Sequence, residues 1–296
     1  MEVKLFILAK LERRRYNLNR QEGYMTMKSY DELTIQDNFI FQKIMRNKRI
    51  CKQTLERLLD IDIKDISYPE EEKSIDVRLD SKSIRMDVYV NDENGTVFNV
   101  EMQTSKNMEE LSKRTRYYQA MIDIDLLEKG QDYDALNDTY IIFICTFDIF
   151  KGKRHKYTFR NLCEEDNGVK LNDGTTKMFL STKGEKDDVS KALKNFLDYV
   201  DGHAPADELM KEIDTEVMTV KSCDEWRREY MTLELEIKRR EKLAAAEGEA
   251  RGLAKGLAKG KIKNVKDMLK AGLVTLEAIK ASGLYSKQEI EAIMAP

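Results

Sequence analysis

Cysteine is scarce and never closely spaced. Cys51, Cys145, Cys163 and Cys223 are widely separated, with no C-x-x-C pair, so neither a disulfide framework nor a cysteine zinc site is indicated. A reducing, cytoplasmic setting fits that usage. Histidine is scarcer still. His155 and His203 have no neighbour in sequence that points to nucleophilic or zinc chemistry, and both are expected at the surface. The single tryptophan, Trp226, is expected as a packing anchor rather than a platform for stacking bases. Long apolar runs are missing: nothing approaches the roughly 20 residues that cross a bilayer as a helix. The apolar stretch Val3 to Leu11 is short and carries lysines, and Arg13-Arg14-Arg15 follows it where a signal peptide has small residues. A strong charge of one sign is also absent. The net charge of −3 is not that of an obligate nucleic-acid coat, so any DNA contact must come from local patches.

What is present is ample for folding. The chain has 296 residues, 41% hydrophobic and 35% charged, enough for one good core and a smaller module. The strongest local signal lies between Ile84 and Gln103. Two apolar segments, Ile84 to Val90 and Thr96 to Gln103, flank Asn91-Asp92-Glu93-Asn94-Gly95, which is turn chemistry. They predict a hairpin. In both segments the even-numbered residues are apolar, namely Met86, Val88, Val90, Phe98, Val100 and Met102. Burying that face gathers Arg85, Asp87, Asn99, Glu101 and Gln103 on the other. Opposite or diagonal residues of an antiparallel pair lie within about 5 to 8 Å, so Asp87 and Glu101 can share one hard cation. The competing reading is a solvated face carrying scattered charges.

Residues further along extend the pattern. Leu33 to Met45 opens a helix, and the hairpin with its Asp87 and Glu101-Met102-Gln103 follows. Arg114-Thr115-Arg116-Tyr117-Tyr118-Gln119 comes next, then Leu127 to Tyr133, then the apolar strand Tyr140 to Asp148. In this order the chain resembles the recombination-promoting nuclease and transposase family of the PD-(D/E)XK nuclease superfamily, over about Tyr30 to Gly202. The resemblance implies an α/β, restriction-endonuclease-like mixed sheet flanked by helices. It also implies Mg²⁺-dependent cleavage of DNA, with Mn²⁺ as the other candidate metal, and a role in recombination or transposition. Asp87 would bind the metal, and Glu101 would be the acidic residue of the E-x-Q triplet. Gln103 stands where most of the superfamily has lysine. Asp37 matches the position from which related nucleases supply an extra acidic ligand, and an aspartate there equally suits the first turn of a helix.

The chemistry expected of such a site is hydrolysis. A metal on Asp87 and Glu101 would polarise a phosphate oxygen and lower the pKa of a bound water. Gln103 can orient by hydrogen bonding but carries no charge. Charge stabilisation would then fall to metal or to Lys113, Arg114 and Arg116, and slow, strongly metal-dependent turnover is expected.

From Met108 to Lys129 there is neither proline nor glycine, and Gly130 follows as a C-terminal glycine. Arg114 and Tyr118 share one face of this helix. Both are candidate substrate contacts together with Arg116, and both equally suit packing on the sheet. The run Tyr140 to Phe147 predicts a central strand buried on both faces, reached from the hairpin by a right-handed crossover. Phe150 to Gly184 reads as short strands and turns at the sheet edge, and Val189 to Val200 as a helix.

The boundaries expected are an N-terminal arm over 1–27, the nuclease-like domain over 28–205, a charged helical connector over 206–247 and an all-α C-terminal extension over 248–296. The arm is either mobile or precedes the native start. In the extension Gly248, Gly252, Gly256 and Gly260 recur every four residues. Such a helix either packs against its copy in a homo-oligomer or orders on DNA with Arg251, Lys255, Lys259, Lys261 and Lys263 on phosphates. Arg251, Lys255 and Lys259 exclude a membrane span. Asn264 to Ala271, Thr275 to Ser282 and Ser286 to Met294 read as three short helices, a helix-turn-helix or an interaction module, with a capping box at Ser286 and Glu289.

The function expected is a metal-dependent DNA endonuclease. The alternatives are a weak or inactive DNA- or protein-binding module whose acidic cluster is structural, and an RNA-directed nuclease.

Overall fold

The computed structural model describes residues 19–21, 24–26, 28–68, 74–75, 84–104, 108–127 and 130–295. Most of the expected N-terminal arm, and residues 128–129 at the end of the expected 108–129 helix, lie outside them. The chain divides into two compact units, Met1–Glu234 and Leu235–Pro296.

The first unit is built on a six-stranded mixed sheet. A short pair, β1 (Asn19–Gln21) and β2 (Tyr24–Thr26), precedes helices α1 (Asn38–Met45) and α2 (Lys48–Leu59). Strand β3 (Ile66–Ser67) follows, then the two-stranded pair β4 (Ser74–Ile75) and β5 (Ile84–Arg85). The hairpin β6 (Val88–Asp92) and β7 (Val97–Gln103) leads into helix α3 (Met108–Leu126) and strand β8 (Thr139–Cys145). Strands β9 (Lys156–Phe159) and β10 (Thr175–Ser181) and helix α4 (Lys191–Val200) complete the layer. The strand order is β3-β6-β7-β8-β10-β9, with β8 parallel to both neighbours and the other pairs antiparallel.

The alternation of side chains along β7 sorts the core into two layers. Even-numbered Phe98, Val100 and Met102 join Ile40, Ile44, Leu55, Phe196 and Leu197 from the helices on one face. Odd-numbered Val97 joins Leu111, Tyr118, Met121 and Ile122 of α3, with Ile141, Phe143 and Phe179, on the other. Every residue of β7 is therefore buried, and β8 is buried on both faces as its unbroken apolar run requires. The turn between β6 and β7 is pinned by Asp92, whose Oδ1 accepts from the backbone N–H groups of Asn94 and Thr96 at 2.9 and 2.8 Å, and Gly95 supplies the left-handed φ of +81°.

Several details differ from the expectations. The first hairpin strand is not continuous from Ile84 to Val90, because the ladder breaks at Met86 and Asp87 and β5 pairs with β4 instead. At the break the Asp87 N–H donates to the side chain of Glu101 at 3.1 Å. Within Phe150 to Gly184, β9 is the edge strand but β10 is internal, because its apolar residues Met178, Phe179 and Leu180 are buried on both faces. His155 is buried rather than superficial, with its Nδ1 3.0 Å from Asp188; a hydrogen-bonding partner 33 residues away leaves no local mark in the sequence. His203 is exposed.

The charged stretch after Pro205 forms two helices, not one. Helix α5 (Glu208–Ser222) starts on Asp207, whose Oδ1 accepts from the Met210 N–H at 3.1 Å. It stops at Cys223, and α6 (Asp224–Lys270) runs on without a break. Tyr30, Phe39 and Tyr230 meet in edge-to-face and tilted contacts at the start of α6, and Trp226 packs against the same core. The division between the two units falls inside α6.

In the second unit, α6 carries the glycine stripe and takes in the first of the three expected short helices. Helices α7 (Leu276–Ala281) and α8 (Lys287–Met294) follow. Val265, Ile279 and Ile293 form the small core of this unit, and the Ser286–Glu289 capping box is present. No helix among the described residues is long and apolar enough to cross a membrane.

Candidate active site

The β6–β7 register, with Val88 opposite Val100 and Tyr89 opposite Asn99, brings Asp87 level with Glu101. Both carboxylates are nearly sealed from solvent, Asp87 being 8% and Glu101 1% exposed. Each is held by the backbone of the other's strand: the Asp87 N–H donates to Glu101 Oε1 at 3.1 Å, and the Met102 N–H donates to Asp87 Oδ2 at 3.3 Å. A second donor reaches Asp87 from α1, where Gln42 Nε2 lies 2.9 Å from Oδ1. The two carboxylates thus face each other with orientations fixed by donors from two strands and a helix.

Among the described residues Arg114 brings a positive charge to the centre. It lies on the sheet-facing side of α3, where one Nη2 donates to Glu101 Oε2 at 3.0 Å and to the Tyr118 hydroxyl at 2.9 Å, while Nη1 donates to Gln103 Oε1 at 3.1 Å. Its guanidinium stacks on the rings of Tyr118 and Phe143, each 5.1 Å away. Burial by itself lowers the pKa of this group, but Tyr118 and Glu101 outweigh it and the net shift is upward, so Arg114 is a permanent cation. Because the Gln103 oxygen faces Arg114, the amide nitrogen is the group that Gln103 presents to other partners.

The candidate residues separate into those that meet here and those that do not. Asp87, Glu101, Gln103, Arg114 and Tyr118 form one connected network. Arg114 and Tyr118 are turned inward, where they orient the acidic pair. Arg116 is exposed on α3, and Lys113 is exposed and paired with Glu109. Lys255 and Lys259 are exposed on the part of α6 that belongs to the second unit. Asp37 is the residue preceding α1, but its carboxylate accepts from Lys28 Nζ at 3.0 Å and from the Thr34 N–H at 2.8 Å. Among the described residues no group of three or more His, Cys, Asp or Glu side chains converges as a metal site. The residue of α1 that reaches the pair is Gln42, five positions on. Its signal was a lone amide among Phe41, Ile44 and Met45, the type of position at which a polar side chain needs a buried partner.

Carboxylate oxygens are hard ligands of the kind that Mg²⁺ and Mn²⁺ take, and Asp87 and Glu101 offer them from adjacent strands. A mixed sheet flanked by helices, with facing carboxylates on a central hairpin and a helical C-terminal region, defines a restriction-endonuclease-like α/β protein. The chain belongs to the PD-(D/E)XK nuclease family transposases, whose family model matches residues 37–244. The matched stretch includes the whole network around Asp87 and Glu101. No curated protein and no solved structure matches the chain. Nucleases of this class generally use divalent metals.

Proposed function

We propose that the protein is an endonuclease that hydrolyses phosphodiester bonds of DNA with Mg²⁺ or Mn²⁺, in recombination or transposition, with the domain at 28–205 as its catalytic part. The observation that supports this most is the facing, buried pair of Asp87 and Glu101 within a chain of this nuclease family. A metal bound there supplies polarisation of the scissile phosphate and a more acidic water. The remaining work falls to the chain's own groups. Gln42 and the Met102 N–H hold Asp87, and Arg114 and the Asp87 N–H hold Glu101, so the ligands are oriented before substrate arrives. Gln103 donates a hydrogen bond from its amide nitrogen and orients a water or phosphate oxygen without adding charge. Asp37 acts as an accessory ligand if substrate or metal draws it away from Lys28. Among the described residues the cation that meets the pair is Arg114, already engaged with Glu101, which favours slow and metal-dependent turnover.

Arg116 is proposed to meet the DNA backbone from α3, and Lys255 and Lys259 from α6, consistent with their exposure. Self-association is assigned to the glycine stripe of α6. A Cβ at Gly248, Gly252, Gly256 or Gly260 meets nothing within 4 Å among the described residues. A helical glycine costs about 0.8–1.0 kcal/mol relative to alanine, a cost that close packing against a second copy offsets. The absence of paired cysteines fits a cytoplasmic protein.

A second reading has its own support: the Arg114–Glu101 ion pair is also what a structural acidic cluster in a binding module contains. Plasmid nicking with Mg²⁺, Mn²⁺, Ca²⁺ or EDTA separates the two. The nuclease reading predicts cleavage with Mg²⁺ or Mn²⁺ that disappears in Asp87→Ala and Glu101→Ala. Equal cleavage by all three proteins, or none by the native chain, favours the binding module.

A further inference from the structure

Asn99 lies on the same face of β7 as Glu101, two residues before it and opposite Tyr89. It is 0% exposed, and neither its Oδ1 nor its Nδ2 meets a hydrogen-bond partner among the described residues. A buried side-chain amide without partners is costly, and polar groups in such positions are met by ordered water. Neighbours on one face of a strand stand about 7 Å apart at 3.4 Å per residue, and a water making two hydrogen bonds of about 2.8 Å spans most of that gap. The same face of the sheet carries Glu101 two residues further along β7 and Tyr89 opposite Asn99, with Ile141 beside it on β8.

We infer that Asn99 is a positioning residue of the acidic centre, holding a buried water between its carboxamide and Glu101 and so fixing the carboxylate for the cation. This rests on the reading of Asp87 and Glu101 as a metal site. In that role Asn99 belongs to the supporting shell whose loss typically costs 10- to 100-fold in metal affinity. The same physics explains why a polar residue occupies a fully buried strand position between Phe98 and Val100, where an apolar side chain would pack at no such cost.

The test compares Asn99→Ala with Asn99→Ser in the full chain. The two side chains are close in volume and leave similar cavities, but only serine keeps a hydroxyl that can hold the water. Mn²⁺ binding is measured by titration calorimetry and thermal melting in EDTA alongside. The expected result is equal lowering of the melting temperature in both variants, a loss of Mn²⁺ affinity of about tenfold or more in Asn99→Ala, and recovery of most of it in Asn99→Ser. Equal affinities in the two variants, whether both weakened or both native, overturn the inference while leaving the metal site standing. Failure of the native chain to bind Mn²⁺ overturns the metal site and the inference with it.

Discussion

Replacing Arg114 by methionine tests the account of the acidic centre most sharply. The Arg114 side chain is 16% and the Glu101 side chain 1% exposed, at 3.0 Å. Methionine keeps the packing on Tyr118 and Phe143 but removes the charge, leaving the Glu101 carboxyl without its ion-pair partner in a site sealed from water. Removing one partner of a buried pair costs about 3–5 kcal/mol, and because the Asp87 N–H still bonds Glu101 the lower figure applies. For a domain of this size, about 3 kcal/mol corresponds to a fall of roughly 6 to 12 °C in melting temperature. The assay is thermal and urea unfolding in EDTA, repeated with Mn²⁺, which narrows the gap because a cation at the pair offsets the charge that Arg114 no longer offsets. In a double-mutant cycle with Glu101→Gln the two changes fall short of additivity by about 2 kcal/mol, within the range for residues in contact. A cost below about 1 kcal/mol, or strict additivity, refutes the reasoning, because the pair would then resemble an exposed one.

Gln42→Leu removes the helix donor to Asp87 Oδ1 and lowers Mn²⁺ affinity about tenfold, within the range for supporting residues; native affinity by titration calorimetry contradicts this. Lys43 and Glu229 make an asymmetric pair, 3% and 47% exposed. Glu229→Gln therefore leaves a buried ammonium against Phe39 and Trp226 and costs about 2 kcal/mol or more, whereas Lys43→Met stays within about 1 kcal/mol, and urea unfolding of both variants checks the order. Burial pushes the Cys51 thiol up to about 11 and the Cys145 thiol up to about 12, against the opposing pull of Tyr68 and Arg114 respectively. Folding holds these protons, so the stability they contribute is complete below the unfolded thiol value of about 8.5 and is lost as pH rises through the folded values. At pH 8 a disulfide reagent modifies the half-buried Cys163 and Cys223 first, and modification of all four at one rate contradicts the burial argument.

The hairpin and its polar face were legible because alternation on two adjacent strands leaves one consistent register. Asp87 and Glu101 follow from it directly. The break at Met86 was not legible, because the apolar alternation runs through it unchanged while β5 pairs with β4. Gln42 was missed, and His155 was placed at the surface, for a related reason. A polar side chain inside a folded layer matches no period, and its partner lies in a distant part of the chain. Arg114 was read as suited either to phosphate or to packing; in the structure it binds Glu101 and stacks on two rings. The four glycines of α6 pointed to a special helix, but its continuity from Asp224 to Lys270 depends on propagation past weak residues, which is cheaper than nucleating new helices. Asp37 was placed correctly at the start of α1, while its side chain turns to Lys28 and Thr34, a preference set by a lysine nine residues upstream.

Whether Asp87 and Glu101 take a divalent cation is measured most directly by anomalous scattering from crystals of the full chain soaked in Mn²⁺. A peak between the two carboxylates, absent from crystals of Asp87→Ala, is the predicted result. Strong manganese peaks elsewhere with none at the pair would contradict the account.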